Sequence, residues 1–263
     1  MIGPNAARTD SADPYAIGRT HTRLCRFLIG SPTVARIDRP RHYGVMKQGR
    51  SWLQLATYDL SRIVVRFLGW LLLGLKQCGV EKFPTDGGAL VCSNHQSYFD
   101  PVLVGAICNR RMNYLARENL FDTRFFGALI RWYDAIPVKH DGMSISGLKE
   151  TLKRLKRDEL VLIFPEGTRT QDGKVAPLKS GFCMLARKAK VPLVPVGISG
   201  AFEVWPRDKR WPRLSKVCLE AGEPISPERV ADLSDDEIVS LLETRIRACF
   251  ESATKTRLAN SGV

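Results

Sequence analysis

The stretch Ala89-Leu-Val-Cys-Ser-Asn-His-Gln-Ser-Tyr-Phe-Asp-Pro-Val-Leu-Val104 decides how the chain is read. Its first part, Ala89–Ser93, is a short apolar run of the kind that forms a buried strand. Its last part begins a helix over Pro101–Ile107, with Pro101 at the first helical position and Asp100 as the expected cap. Between the two lies a polar loop that carries His95 and ends at Asp100. Strand, polar loop and helix in that order form the repeating unit of a layered α/β fold.

The same rhythm continues outward. Apolar runs at 112–116, 135–138, 160–164 and 192–199 read as strands. Helical spacing of apolar residues marks 123–132, 144–156 and 181–188. Ser234-Asp-Asp-Glu237 is a capping box that opens a last helix, expected to run to about Ala253. The expected fold is therefore α/β: a single domain over residues 81–256, with a mostly parallel central sheet flanked by helices and a flexible tail at 257–263. There is no internal repeat.

Upstream of this domain the character changes. Residues 1–50 carry 9 Lys/Arg against 3 Asp/Glu, with many Pro, Gly and Ser, and are expected to be a disordered basic extension. They contain no uninterrupted apolar stretch of the kind a signal peptide needs. Residues 51–80 hold Phe67-Leu-Gly-Trp-Leu-Leu-Leu-Gly-Leu75, with Asp59, Arg62 and Arg66 just before it. A membrane span needs about 20 apolar residues, and these charges interrupt the run. Leu60, Ile63, Val64, Phe67, Leu68 and Leu71 instead share a helical face, with Arg62 and Arg66 on another. That pattern fits an amphipathic helix lying on a membrane better than one crossing it. A helix packed on the soluble core is the alternative.

Of 263 residues, 40 are Lys or Arg and 27 Asp or Glu, a net charge of +13 that calls for anionic partners. No nucleic-acid module accompanies it, and the aromatics sit in apolar runs rather than among the cations, so no nucleic-acid partner is expected. The seven cysteines show no ligand spacing; they read as buried thiols in a reducing compartment, and no metal site is expected.

Two polar motifs follow expected strands, where α/β sheets gather their function. In the first, Asp100 can orient His95 and leave its other nitrogen as a base. Ser97 and Cys92 are close in sequence, but neither sits in a nucleophile elbow. The hydroxyl to be activated therefore belongs to a substrate. The second motif is Phe164-Pro-Glu-Gly-Thr-Arg-Thr170, in which Gly167 allows close backbone approach and Arg169 offers a fork suited to phosphate. Glu166 can take a substrate hydroxyl or hold Arg169.

Together the motifs resemble the signature blocks of the glycerophospholipid acyltransferase family, the 1-acylglycerol-3-phosphate acyltransferase group. Asn94, His95 and Asp100 match its N-H-x-x-x-x-D block, Phe164–Thr170 its F-P-E-G-T-R-[ST] block, and Val191-Pro-Leu-Val-Pro-Val196 its apolar proline block. The likeness covers roughly residues 60–225. It implies transfer of a fatty acyl group from acyl-CoA or acyl carrier protein to a lysophospholipid hydroxyl, without a cofactor. It gives His95 and Asp100 catalytic roles, and seats the acceptor on Asn94, Glu166, Gly167, Thr168 and Arg169. It also implies an enzyme on the cytoplasmic face of a membrane, peripheral or monotopic. One block departs. Ile136-Pro-Val-Lys139-His140 has Lys139 and His140 where the family commonly has Asp and Arg; a cation remains there, so both are kept as substrate-binding residues, and a different lyso-lipid acceptor is the main rival. A thioester or ester hydrolase is another.

Overall fold

The structure is a computed structural model, and it describes residues 51–139 and 145–259. The expectations for residues 1–50, for His140 and for the last four residues lie outside these.

Among the described residues seven strands form one sheet: β1 (Lys76–Cys78), β2 (Ala89–Ser93), β3 (Met112–Arg117), β4 (Ile136–Val138), β5 (Leu160–Ile163), β6 (Leu193–Ser199) and β7 (Cys218–Ala221). Their order is β1-β7-β6-β2-β5-β3-β4. Every neighbouring pair is parallel except β6–β7. The central strands are buried along their whole length, as strands covered on both faces must be.

Two apolar layers cover them. On one face α2 (Asp100–Ile107) and α7 (Ala201–Val204) pack Leu103, Val104, Ile107 and Val204 against Ala89, Val91, Leu160, Leu162 and Val196. On the other, α5 (Ile145–Leu155), α6 (Gly181–Ala189), α8 (Pro227–Asp232) and α9 (Asp235–Ala259) pack against Leu90, Cys92, Val161 and Leu193. Gly197 permits one close approach. A Cβ there would stand 2.2 Å from the Phe250 backbone nitrogen, so α9 lies directly on β6.

The capping box at Ser234 forms as expected: Glu237 N–H donates to Ser234 Oγ, and Ser234 N–H to the Glu237 carboxylate. The helix it opens runs to Ala259, beyond Ala253 and into the stretch expected to be a tail. The edge strand β1 and its neighbour β7 carry no sequence signal of their own: Lys76-Gln-Cys78 and Cys218-Leu-Glu-Ala221 contain charged or polar residues and form no apolar run. Two short helices, α3 (Glu118–Phe121) and α4 (Arg124–Trp132), connect β3 to β4.

Upstream, α1 (Trp52–Leu73) is a single helix with a capping box at Ser51 and Gly74 in the left-handed conformation at its end. It packs on the domain through its polar face. Tyr58 Oη accepts from Met112 N–H and shares a hydrogen bond with Tyr114. Arg62 and Arg66 donate to the Ala106, Ile107 and Cys108 carbonyls at the end of α2, which no further helical turn satisfies. Leu60, Ile63, Phe67, Trp70 and Leu71 face outward and are exposed. The helix is thus both packed on the core and amphipathic, with its apolar stripe unburied. No described helix is long and apolar enough to cross a membrane.

Candidate active site

β2 and β5 are hydrogen-bonded neighbours, with Cys92 paired to Ile163. Their carboxyl ends deliver the two motifs to the same place. His95 backbone N–H donates to Glu166 Oε1 at 3.1 Å, and Thr170 N–H donates to the His95 carbonyl at 2.8 Å. The second motif therefore grips the main chain of the first on both sides of His95. Beneath it, Asn94 is fully buried and spends both ends of its amide on the backbone N–H and C=O of Ile198 in β6.

The His95 ring stacks on Phe164, with centroids 3.9 Å apart and planes 13° from parallel. Its Nδ1 lies 2.8 Å from Asp100 Oδ2. The same oxygen accepts from Gln96 N–H at 2.5 Å and Ser97 N–H at 2.7 Å. Asp100 is therefore not the helix cap expected from its position. It is the first residue of α2, and its buried carboxylate points back into the loop. A carboxylate only accepts, so Nδ1 carries the donated proton and Nε2 is left as the acceptor. The His95 side chain is 19% exposed, so this acceptor can be reached.

Glu166 is 3% exposed. Burial pushes its carboxyl up to about 8, with the His95 and Ala176 backbone N–H groups opposing the rise and the charge of Asp100 adding to it. It is placed to hold the His95 main chain rather than to sit in the open cleft. Gly167 takes φ +75°, a conformation that favours glycine, and the Lys179 side chain passes over it with Nζ 3.0 Å from where a Cβ would stand. Thr168 is exposed beside it. Arg169 lies over the Tyr98 ring, its guanidinium carbon 3.5 Å from the centroid, and its buried Nη1 has no hydrogen-bond partner. Tyr98 in turn packs on Trp205.

A family model described as Acyltransferase matches residues 75–199, which hold both motifs. The chain is 32% identical over 165 residues to the 1-acyl-sn-glycerol-3-phosphate acyltransferase of Bacillus subtilis (strain 168), covering 62% of this chain and 80% of that protein. It belongs to the 1-acyl-sn-glycerol-3-phosphate acyltransferase family. The chloroplastic enzyme BAT2 of Brassica napus is 26% identical over 68% of this chain, which spans about half, 49%, of that longer relative. The fold is also that of the crystal structure of the 1-acyl-sn-glycerophosphate (LPA) acyltransferase PlsC from Thermotoga maritima. The two agree with a TM-score of 0.65 at 28% identity, over 76% of this chain and 80% of that one.

Within this acyltransferase, Lys139 stands apart from the other candidates. It is exposed just past the end of β4, the edge strand three places from β2. At the usual strand spacing that is about 14 Å along the sheet. Conversely, Tyr98, Lys179, Gln96 and Phe164 as a stacking partner belong to the site without any local pattern that marks them. Gln96 ties the loop to its surroundings by donating to Gly173 O and accepting from Phe202 N–H. The side chains of these residues meet the motifs only in three dimensions.

The raised Glu166 carboxyl has a measurable consequence. Its proton is held in the folded protein up to about pH 8, whereas the unfolded chain releases it above about 4.5. The folded state therefore binds the extra proton between these values, and Glu166 costs stability progressively as pH rises through that window. Glu166→Gln keeps the acceptor for His95 N–H and removes the titration. Melting curves of both proteins from pH 5 to 8 should show the wild type losing stability relative to the variant. A constant difference would mean that Glu166 is ionised in the fold.

Proposed function

We infer that His95 is the general base of an acyl transfer to the free hydroxyl of 1-acylglycerol-3-phosphate, giving phosphatidate. The reading is carried by the reachable Nε2 of a histidine whose Nδ1 is locked on buried Asp100. Nε2 takes the proton of the acceptor hydroxyl, and the oxygen attacks the thioester carbonyl of acyl-CoA or an acylated carrier protein. The tetrahedral intermediate collapses, the C–S bond breaks, and the imidazolium returns its proton to the departing thiolate. Asp100 stabilises that imidazolium. The reaction needs no cofactor, because the thioester is already activated.

Arg169 is the phosphate ligand in this reading. The Tyr98 ring holds its planar fork, and Nη1 lacks a partner that a phosphate oxygen supplies. Gly167 and Thr168 line the approach, and Glu166 and Asn94 act as positioning residues for the loop. The outward stripe of α1 docks the enzyme on the membrane that supplies the acceptor, on its cytoplasmic face.

Arg169→Ala should raise the acceptor KM by roughly 10–100-fold, the worth of one or two charge-assisted hydrogen bonds. The acyl-donor KM should change little; equal changes in both would remove Arg169 from the phosphate. The whole reading is tested by incubating the purified protein with an acyl-CoA panel and several lyso-lipids, with products read by mass. Phosphatidate from 1-acylglycerol-3-phosphate is the expected result. Free fatty acid without acceptor would instead mean a hydrolase. Preference for an amine-containing lyso-lipid would replace the acceptor assigned in this reading.

A further inference from the structure

The connection between α7 and β7, residues 206–216, reads Pro-Arg-Asp-Lys-Arg-Trp-Pro-Arg-Leu-Ser-Lys. It carries five cations and one carboxylate, and that carboxylate, Asp208, is paired with Lys209 at 3.1 Å. Arg207, Arg210 and Arg213 are exposed and form no close salt bridge among the described residues; Arg210 lies over the Trp211 ring, 5.7 Å from its centroid, and Arg213 is near enough to Asp208 to help Lys209 lower its carboxyl. Among them, Trp211 is 73% and Leu214 75% exposed. These are large apolar side chains held in water at a cost, within a basic surface.

The loop is held in this conformation by its own hydrogen bonds. Trp205 Nε1–H donates to Lys209 O at 3.0 Å, and Arg213 N–H to Val204 O at 2.7 Å, so the two chain ends are closed beneath the tip. Its position connects two parts of the molecule. At its root Trp205 packs on Tyr98 and Phe99 of the His95 loop, each with centroids 5.0 Å apart. At its far end Val217 N–H donates to Leu73 O, and Lys216 Cγ lies 3.6 Å from a Cβ at Gly74, so the loop abuts the last turn of α1. That turn exposes Trp70, Leu71 and Leu72.

We propose that residues 206–216 are a second membrane-docking element, which seats Trp211 and Leu214 in the interface of an anionic bilayer while Arg207, Arg210 and Arg213 pair with its headgroups. The proposal rests on the reading above that the acceptor is a membrane lipid. Binding to a bilayer surface strengthens with the apolar area buried and with attraction to anionic lipids. The apolar stripe of α1 supplies apolar area, with no cation in its last turn. The loop supplies the charge, next to that turn, and its root packs on the His95 loop. Docked on both, the molecule holds its acceptor site against the surface from which the lipid must enter.

Flotation of the full-length protein with vesicles of phosphatidylcholine, with and without phosphatidylglycerol, tests this and needs no turnover. Arg207→Ala/Arg210→Ala/Arg213→Ala should weaken partitioning to the anionic vesicles by on the order of a hundredfold and leave the neutral ones nearly unaffected. Trp211→Ala/Leu214→Ala should weaken both by on the order of tenfold or more. With a short-chain, water-soluble acceptor, both variants should turn over as the wild type does. Unchanged partitioning would overturn the proposal. So would normal partitioning with a raised KM for an acylated carrier protein, which would make the loop a docking site for an acidic protein. If the loop variants behave as expected but His95→Ala still transfers acyl groups, the docking surface stands and the assigned chemistry falls.

Discussion

His95→Ala should lower kcat by about 10²–10⁴-fold, the span of a positioned general base, and leave a folded protein. The loss falls on the chemical step because the ring is the group that removes the acceptor proton. Folding survives because the position is held from elsewhere. Glu166 and Thr170 grip the backbone of residue 95, not its side chain. Asp100 Oδ2 would keep two of its three donors, the N–H groups of Gln96 and Ser97. What is lost is the stack on Phe164 and one hydrogen bond, together about 1–2 kcal/mol. Turnover and a thermal melt on one preparation separate the two effects. Turnover within a factor of ten of the wild type would sink the base assignment.

Asp100 gives the second large effect, and two substitutions divide it. Asp100→Ala leaves the buried N–H groups of Gln96 and Ser97 and the imidazole N–H without an acceptor. That should cost about 3 kcal/mol or more, a fall in Tm of roughly 10 °C for a domain of this size. Asp100→Asn keeps an acceptor oxygen. The two backbone donors pin that oxygen in place of Oδ2, and the amide nitrogen falls where Oδ1 has no partner. The fold and the tautomer of His95 are retained, but the negative charge beside the imidazolium is gone. At an effective dielectric of about 20 such a charge pair is worth about 4 kcal/mol, so kcat should fall by about 10²–10³-fold. Substrate KM values should move little. A variant that melts like the wild type and turns over normally would reduce Asp100 to a structural acceptor.

Much of this site is legible in the amino-acid sequence, because its polar residues are few and sit where expected strands end. His95, Asp100 and Arg169 stand out for that reason. Their surroundings do not. Tyr98 under Arg169 and Lys179 over Gly167 touch the motifs through side chains from neighbouring loops, and local pattern carries no record of such contacts. Local pattern also points Glu166 at a substrate hydroxyl or at Arg169. It instead reaches across 71 residues to the His95 N–H. Helix-start preferences make Asp100 a cap, whereas its carboxylate turns back to three donors in its own loop. β1 and β7 are missed because Lys76-Gln-Cys78 and Cys218-Leu-Glu-Ala221 are broken by charged or polar residues, whereas the equally short β4 and β5 lie in uninterrupted apolar runs.

The sequence by itself determined the α/β class, the places of the central strands and of the longer helices between them, the two motifs and the amphipathic character of α1. Each of these follows from local spacing: apolar runs bounded by glycine, proline and polar loops, and recurrence at three and four residues. Only the tertiary structure decided that β2 and β5 are neighbours in a register that joins the motifs, and that α1 turns its arginines inward and its leucines out. Periodicity states which residues share a face, not what that face meets. For α1 the unsatisfied carbonyls at the end of α2 meet Arg62 and Arg66, and the apolar stripe is left pointing away from the domain.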